Sequence, residues 1–397
     1  MKLAYYPGCS LDGSAVEYGL STERVARILG VELKEIDDWN CCGATAGHNT
    51  DKLLSLALPA RNLALAEKEG LDVLAPCAAC YNRFKATEHA VREDAGLKAR
   101  IEYIIDMSYS ASNNTISVLE WIKRLGIDNL KAKVTNSLKG MKAACYYGCL
   151  LVRPSSHTGF DDPENPQSMD EIIKALGAET VDWAYKTECC GAALATSRPE
   201  IGGKMIYEIL QNVKEAGAEC IVTACPLCMM NLDMRQGQVE KRFSQGFNIP
   251  VYYVTELVAV ACGDDPKTVG IHKHFVEAVS YLKGLPAKAK AMEEEEAKAK
   301  PAAKTKRAEG EKPSDNSEDI QKKIDAILKG LEKNPEKVVS KLIEDGEKVN
   351  ILADVIKNDE KKRVKLAEVM AQDKEKAIKV AEALIVGEMK KREKSSN

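Results

Sequence analysis

Ten of the thirteen cysteines in this 397-residue chain fall into two matched sets. Each set has a lone cysteine, an adjacent pair followed by glycine, and a Cys-x-x-Cys. The first is Cys9, Cys41, Cys42, Cys77 and Cys80; the second is Cys149, Cys189, Cys190, Cys225 and Cys228. In both, 34 residues separate the pair from the Cys-x-x-Cys. Thirteen is an odd number, which suits a closed disulfide framework poorly, and no export signal precedes the pattern. Thiols kept reduced in a cytosolic setting point to metal binding or redox chemistry.

The number of thiolates per set narrows that chemistry. Structural zinc is closed by four ligands in a tetrahedron. Five thiolates overfill it, and adjacent cysteines cannot easily aim at one small ion. An iron–sulfur cluster spreads its irons over several ångströms, so neighbouring cysteines can serve different irons. Gly43 and Gly191 would let the backbone approach a bulky inorganic core, and Ala44, Ala78, Ala79 and Ala192 leave room beside it. Two iron–sulfur clusters are the reading that follows. One cluster plus one zinc, or a zinc or redox-thiol protein, remain as alternatives. Cys145, Cys220 and Cys262 lie in apolar, strand-like runs and are expected to be core residues, although Cys145 is only four positions before Cys149.

The elements that must position these cysteines are α/β in pattern. Lys2–Tyr6 reads as a strand ending in a Pro-Gly turn that presents Cys9; helical spacing follows over Ser14–Leu29. Glu32–Trp39 is extended, Asp51–Lys68 helical, and Leu71–Ala75 a short strand before Cys77. The arrangement recurs, shifted by 148 residues for Cys41, Cys77 and Cys80 and by 140 for Cys9, as a duplication with one loop shortened would give. The expected organisation is a first cluster-binding half over residues 1–100, a mostly helical connector over 101–140 and a second half over 141–284. A low-complexity, flexible linker over 285–319 and a charged, all-α module over 320–397 complete it. In that last module Ile320, Ile324, Ile327, Leu328 and Leu331 share one helical face.

Composition sets outer bounds. Fifty-seven basic against 60 acidic residues leave a net charge of -3, with no basic face to recommend nucleic acid. No run reaches the ~20 apolar residues of a membrane span, so a soluble, cytoplasmic protein is expected. No Cys-x-x-Cys-x-x-Cys-x-x-x-Cys ferredoxin run and no Gly-x-Gly-x-x-Gly turn occurs in the sequence. Electrons are therefore expected from a separate ferredoxin-like iron–sulfur subunit, itself fed by a flavin subunit of the same complex.

On these residues the chain resembles the cysteine-rich CCG family, and within it the B subunits of heterodisulfide reductases. The motifs are Tyr-Tyr-Pro-Gly-Cys9, Trp-Asn-Cys41-Cys42-Gly-Ala, Ala-Pro-Cys77-Ala-Ala-Cys80-Tyr-Asn, Tyr-Tyr-Gly-Cys149-Leu-Leu-Val-Arg-Pro, Glu-Cys189-Cys190-Gly-Ala and Ala-Cys225-Pro-Leu-Cys228. The resemblance covers about residues 1–284. It implies that each five-cysteine set binds one non-cubane [4Fe–4S] cluster. It also implies that the two clusters face a shared cavity, where a mixed disulfide of coenzyme M and coenzyme B is split as electrons arrive singly. The implied activity is that of an oxidoreductase acting on a sulfur group. The linker and helical module after Leu285 depart from that pattern, and a non-catalytic electron conduit toward a quinone or an acyl-CoA reductase is the second reading. Outside the clusters, Arg153 is a candidate to hold an acidic group of the substrate, and His157 to deliver a proton to a departing thiolate.

Overall fold

A computed structural model describes residues 1–299 and most of 324–388. It divides into two units, 1–303 and 304–397, each with its own contacts. The first unit carries every cysteine.

Two four-stranded parallel sheets form its frame. The first contains β1 (Lys2–Tyr5), β2 (Glu32–Glu35), β3 (Val73–Leu74) and β4 (Thr115–Ile116), ordered β2-β1-β3-β4. The second contains β5 (Lys142–Tyr146), β6 (Glu179–Thr180), β7 (Cys220–Thr223) and β8 (Val251–Tyr253), ordered β6-β5-β7-β8. The orders are the same under the duplication. Every pairing is parallel, for example Ala4 opposite Val73 and Ala143 opposite Cys220. Parallel neighbours need crossover helices, and the helices Val16–Leu29, Leu54–Lys68, Ser168–Ala175 and Pro199–Glu215 supply them. With both faces covered, the central strands β5 and β7 are buried nearly throughout, and the edge strand β8 is buried as well.

Three expectations change against this frame. The segment 101–140 is more than a helical connector, because Thr115–Ile116 pairs with β3 and completes the first sheet. Two residues of strand inside a helical pattern leave no periodicity to read. The apolar run Val251–Cys262 is not one extended strand: β8 gives way to the helix Val254–Ala261, and Glu256 caps its start by accepting the Tyr253 N–H at 2.8 Å. Cys262 therefore ends a helix, while Cys145 and Cys220 do lie in strands. The expected flexible stretch from Leu285 begins as the end of a helix, Val279–Ala299, since Ala, Lys and Glu are strong helix formers; the rest of that stretch lies outside the described residues. Leu282 and Leu285 anchor this helix in the apolar core.

The second unit contains the helices Pro335–Val339, Gly346–Asn358 and Glu360–Gln372. Leu331, Val339, Leu352, Ile356 and Leu366 form its buried interior. Of the helical face read from the sequence, Ile327 and Leu328 pack against that core, and Ile320 lies outside the described residues.

Candidate functional site

In parallel sheets the loops leaving the strands' carboxyl ends gather at one edge. Here they carry the cysteines. Cys9 follows β1, Cys77 follows β3, Cys149 follows β5 and Cys225 follows β7. Each Cys-x-x-Cys opens a helix, Ala78–Glu93 in the first half and Pro226–Met229 in the second. π-helical turns, which often mark functional sites, occur at Ser10–Ser14 just after Cys9 and at Met230–Met234 just after Cys228.

Folding brings each set together. The sulfurs of Cys42 and Cys80 are 3.2 Å apart, those of Cys190 and Cys228 3.7 Å, and those of Cys9 and Cys41 4.0 Å. Cys149 and Cys189 are near enough to shift each other's acidity. Both halves are graded alike. The second cysteine of the pair and both of the Cys-x-x-Cys are buried, while the lone cysteine and the first of the pair lie outward. The outer two are exposed in the first half and partly covered in the second. The two sets also approach each other, since the Cys77 and Cys225 thiols shift one another's acidity.

Tyrosines lock this geometry. Tyr6 donates to the carbonyl of Asn40 at 2.9 Å, and Tyr146 to that of Glu188 at 2.6 Å. Each thereby fixes the residue just before a cysteine pair. Tyr18 sits where the sets meet, its hydroxyl 3.1 Å from Pro76 O and 3.2 Å from Ala224 O, the residues preceding Cys77 and Cys225. Its ring stacks on Tyr253 with centroids 4.1 Å apart. The motif that ends in Cys9 contains Tyr6, and the one around Cys149 contains Tyr146; nothing local marks Tyr18.

The turns at Gly43 and Gly191 require glycine for their own backbone conformation. Their φ values are +70° and +87°, a region that side chains resist. A Cβ on Gly43 would stand 2.6 Å from Leu58 Cδ1, and one on Gly191 would stand 3.3 Å from Gly202 Cα. What demands glycine is the turn and a neighbouring helix. That turn aims the Gly43 N–H at Cys41 Sγ (3.5 Å) and the Gly191 N–H at Cys189 Sγ (3.3 Å).

Hydrogen bonding shapes the thiols' acidity. The Cys41 and Cys80 thiols pull Cys42 down to about 4. The Cys149 thiol, and against the cost of burial the Gly191 N–H, pull Cys189 down to about 6. Cys149 rises correspondingly, through its bond to Cys189 and through burial. Each set thus contains thiols disposed to be thiolates, the form that binds metal. Among the described residues, no group of three or more His, Cys, Asp or Glu is drawn tight enough to share a single metal ion. What the thiols offer is a spread of donors, including adjacent cysteines facing different partners, which suits a centre of several metal atoms.

The remaining candidates sort as follows. Cys145 and Cys220 are buried, and burial pushes both thiols up; Cys262 is partly covered, and burial raises it too. Among the described residues, none of these three thiols bonds to a cysteine of either set. Arg153 is engaged in its own loop through Nε and Nη2, bonding Pro163 O (2.9 Å), Glu164 (2.9 Å) and Thr187 Oγ1 (3.0 Å). His157 lies 6.3 Å from His89, ring to ring, with its Nε2 buried and unpartnered. Burial and the positive charge of Arg83 lower its pKa. Arg83 escaped the sequence reading; its guanidinium meets His48 Nδ1 at 3.0 Å.

Comparison with known proteins fits this duplicated geometry. The family model for the cysteine-rich domain (CCG) matches twice, at residues 3–85 and 143–233. In Wolinella succinogenes, the 8-methylmenaquinol:fumarate reductase membrane anchor subunit is 35% identical over 280 residues, 70% of this chain and 98% of its own. The chain belongs to the cysteine-rich CCG family. Other CCG relatives are the B subunits of heterodisulfide reductases. That of the ferredoxin/F(420)H(2)-dependent CoB-CoM heterodisulfide reductase of Methanosarcina acetivorans is 30% identical, over 71% of this chain and 96% of its own length. Lactate utilization protein A of Macrococcus caseolyticus is 24% identical, over 65% and 96%. Among solved structures, a hypothetical protein from Helicobacter pylori shares the fold with a TM-score of 0.57 at 12% identity, covering 70% of this chain and 52% of that one. Among the described residues no helix is long and apolar enough to cross a membrane.

Proposed function

We propose that this CCG protein is the iron–sulfur subunit of a heterodisulfide reductase-like complex, and that it reduces a disulfide to two thiols. Cys9, Cys41, Cys42, Cys77 and Cys80 would hold one [4Fe–4S] cluster, of the non-cubane type. Cys149, Cys189, Cys190, Cys225 and Cys228 would hold the second. Bound there, the clusters supply single electrons and iron sites with affinity for sulfur.

The observation that carries the reading is the approach of the two sets at Tyr18, whose hydroxyl lies within hydrogen-bond distance of the residues just before Cys77 and Cys225. A disulfide needs two electrons and releases two sulfurs, and paired centres at one location match that demand. The chain's own residues supply the rest. Buried inner thiols keep water from the metal-binding side, while exposed Cys9 and Cys41 leave the first set open to a small molecule. The Gly191 amide helps hold Cys189 as a thiolate; the Gly43 amide acts in the same sense on Cys41, where Cys42 and burial outweigh it and raise the thiol. A ferredoxin-like subunit and a flavin subunit would deliver the electrons, in a cytoplasmic complex.

A second reading has its own support. The 35% identical relative is named for a menaquinol:fumarate reductase, which favours an electron-transfer subunit linked to a quinone. One experiment tests both. The protein is purified without oxygen and its iron, acid-labile sulfide and zinc are measured. Two four-iron clusters require about eight iron per chain with matching sulfide. Disulfides and quinones are then added while the cluster spectra are followed. A disulfide that changes the spectra supports reduction at the clusters. Spectra that respond only to a quinone favour the conduit. A colourless protein with zinc removes both.

A further inference from the structure

Positions 83 and 231 are equivalent under the duplication, each three residues past the last cysteine of its set, yet one is arginine and the other asparagine. Asn231 is fully buried. Its Nδ2 lies 3.4 Å from Cys190 Sγ, 3.0 Å from Cys190 O and 3.1 Å from Ala192 O. Its Oδ1 accepts from Arg235 Nε at 3.2 Å, and Arg235 is itself held by Thr196 Oγ1 at 2.8 Å. An amide flip would turn Oδ1 toward two carbonyl oxygens and point the NH2 group at a guanidinium. The two carbonyls and Arg235 together fix which end of the amide faces the sulfur.

The first half has nothing of the kind. Arg83 spends its hydrogen bonds on His48 Nδ1 (3.0 Å) and Asn82 Oδ1 (2.8 Å), and reaches Cys42 only through the field of its charge. Among the described residues no side-chain amide donates to Cys42, the counterpart of Cys190. Hydrogen bonds to the sulfurs of a cluster's ligands are among the factors that set its reduction potential, because they draw charge from the thiolate and favour the reduced, more negative state.

Building on the two-cluster reading, we propose that Asn231, oriented by Arg235, is a positioning residue that raises the reduction potential of the second centre without acting on the first. One duplicated frame thereby holds two centres whose potentials are set separately. An electron entering the chain finds them distinguishable, by a contact that the repeated cysteine pattern does not encode.

The test is a redox titration of the full chain, purified without oxygen and followed by electron paramagnetic resonance. Asn231→Leu removes the donor at nearly constant size. Its expected result is a negative shift in the midpoint of one centre, with the other unmoved. Asn231→Asp, which places an acceptor oxygen by the sulfur, is expected to shift the same centre further. Arg235→Met, which keeps the amide but removes one of the three groups that hold it, is expected to shift it in the same direction by less. Wild-type iron and sulfide with both midpoints unchanged, or with both displaced equally, would overturn the proposal. Should Asn231→Leu lose iron, Asn231→Ala, which removes the donor without placing a branched side chain in the same space, decides by the same criterion. Absence of iron from the wild-type protein is a different failure, that of the two-cluster reading itself, and the proposal falls with it.

Discussion

Replacing Tyr18 by phenylalanine removes one oxygen from the place where the two halves meet. The hydroxyl is completely buried and is the donor for Pro76 O and Ala224 O. The ring's apolar burial and its stack on Tyr253 survive in Tyr18→Phe. What is lost is a shared hydrogen bond, and two buried acceptors lose a donor. Leaving a buried polar group unsatisfied costs about 1–3 kcal/mol. For a unit of this size each kcal/mol lowers the melting temperature by roughly 2 °C, so a drop of about 2–6 °C is expected. Tyr18→Ala removes the ring as well and should cost about 3–5 kcal/mol. The assay is a thermal melt at fixed scan rate, without oxygen, followed by near-ultraviolet circular dichroism. Melts of variants that keep only Trp39 or only Trp183 of the three tryptophans, followed by fluorescence, report on the first and the second half separately. Because Tyr18 touches both turns, both signals should move together. A Tyr18→Phe protein that melts like the wild type would refute the account of the hydroxyl as the link. One in which only the first half's transition moves would refute the bridge.

Three further outcomes are expected. Serine at Cys42 or Cys228 should reduce iron content by about half, as one of two clusters would be lost, whereas serine at Cys145 or Cys262 should leave it unchanged; equal loss at all four positions would contradict the assignment. Gly43→Ala forces an L-residue into positive φ, at about 1–2 kcal/mol, and strikes Leu58, so it should lower stability and displace the amide from Cys41. Thermal melts and iron content check this, and Leu58→Ala should relieve the steric part only. His274 and Glu256 form a buried pair at 3.0 Å; burial opposes it, but the Glu256 charge and hydrogen bond raise the His274 pKa above its usual value near 6.5. A raised histidine contributes stability that is whole below its unfolded pKa and fades as pH rises through its folded pKa. The wild type's advantage over His274→Gln in urea unfolding should therefore shrink from pH 6 to pH 9, and a constant advantage would exclude this role.

The sequence by itself determined which residues form the two sets, the duplication that relates them, and the alternation of strand and helix that carries them. Those properties are legible because they are local or periodic. A Cys-x-x-Cys at the mouth of a helix, a pair before glycine and a 148-residue shift can each be read along the chain. Even the tyrosines before Cys9 and Cys149 stand in the repeated motif. The two-residue strand Thr115–Ile116 escaped because its burial comes from β3 rather than from any pattern of its own. Tertiary structure alone decided how the sets meet. Tyr18 reaches Pro76 across 58 positions and Ala224 across 206, and no periodicity carries over such a separation. Nor could spacing tell that Arg153 would be engaged by Glu164 and Thr187, or that Asn231 would face a cysteine sulfur while its counterpart Arg83 faces a histidine. A side chain's partner is chosen by direction as well as position, and direction is fixed only when packing selects one rotamer.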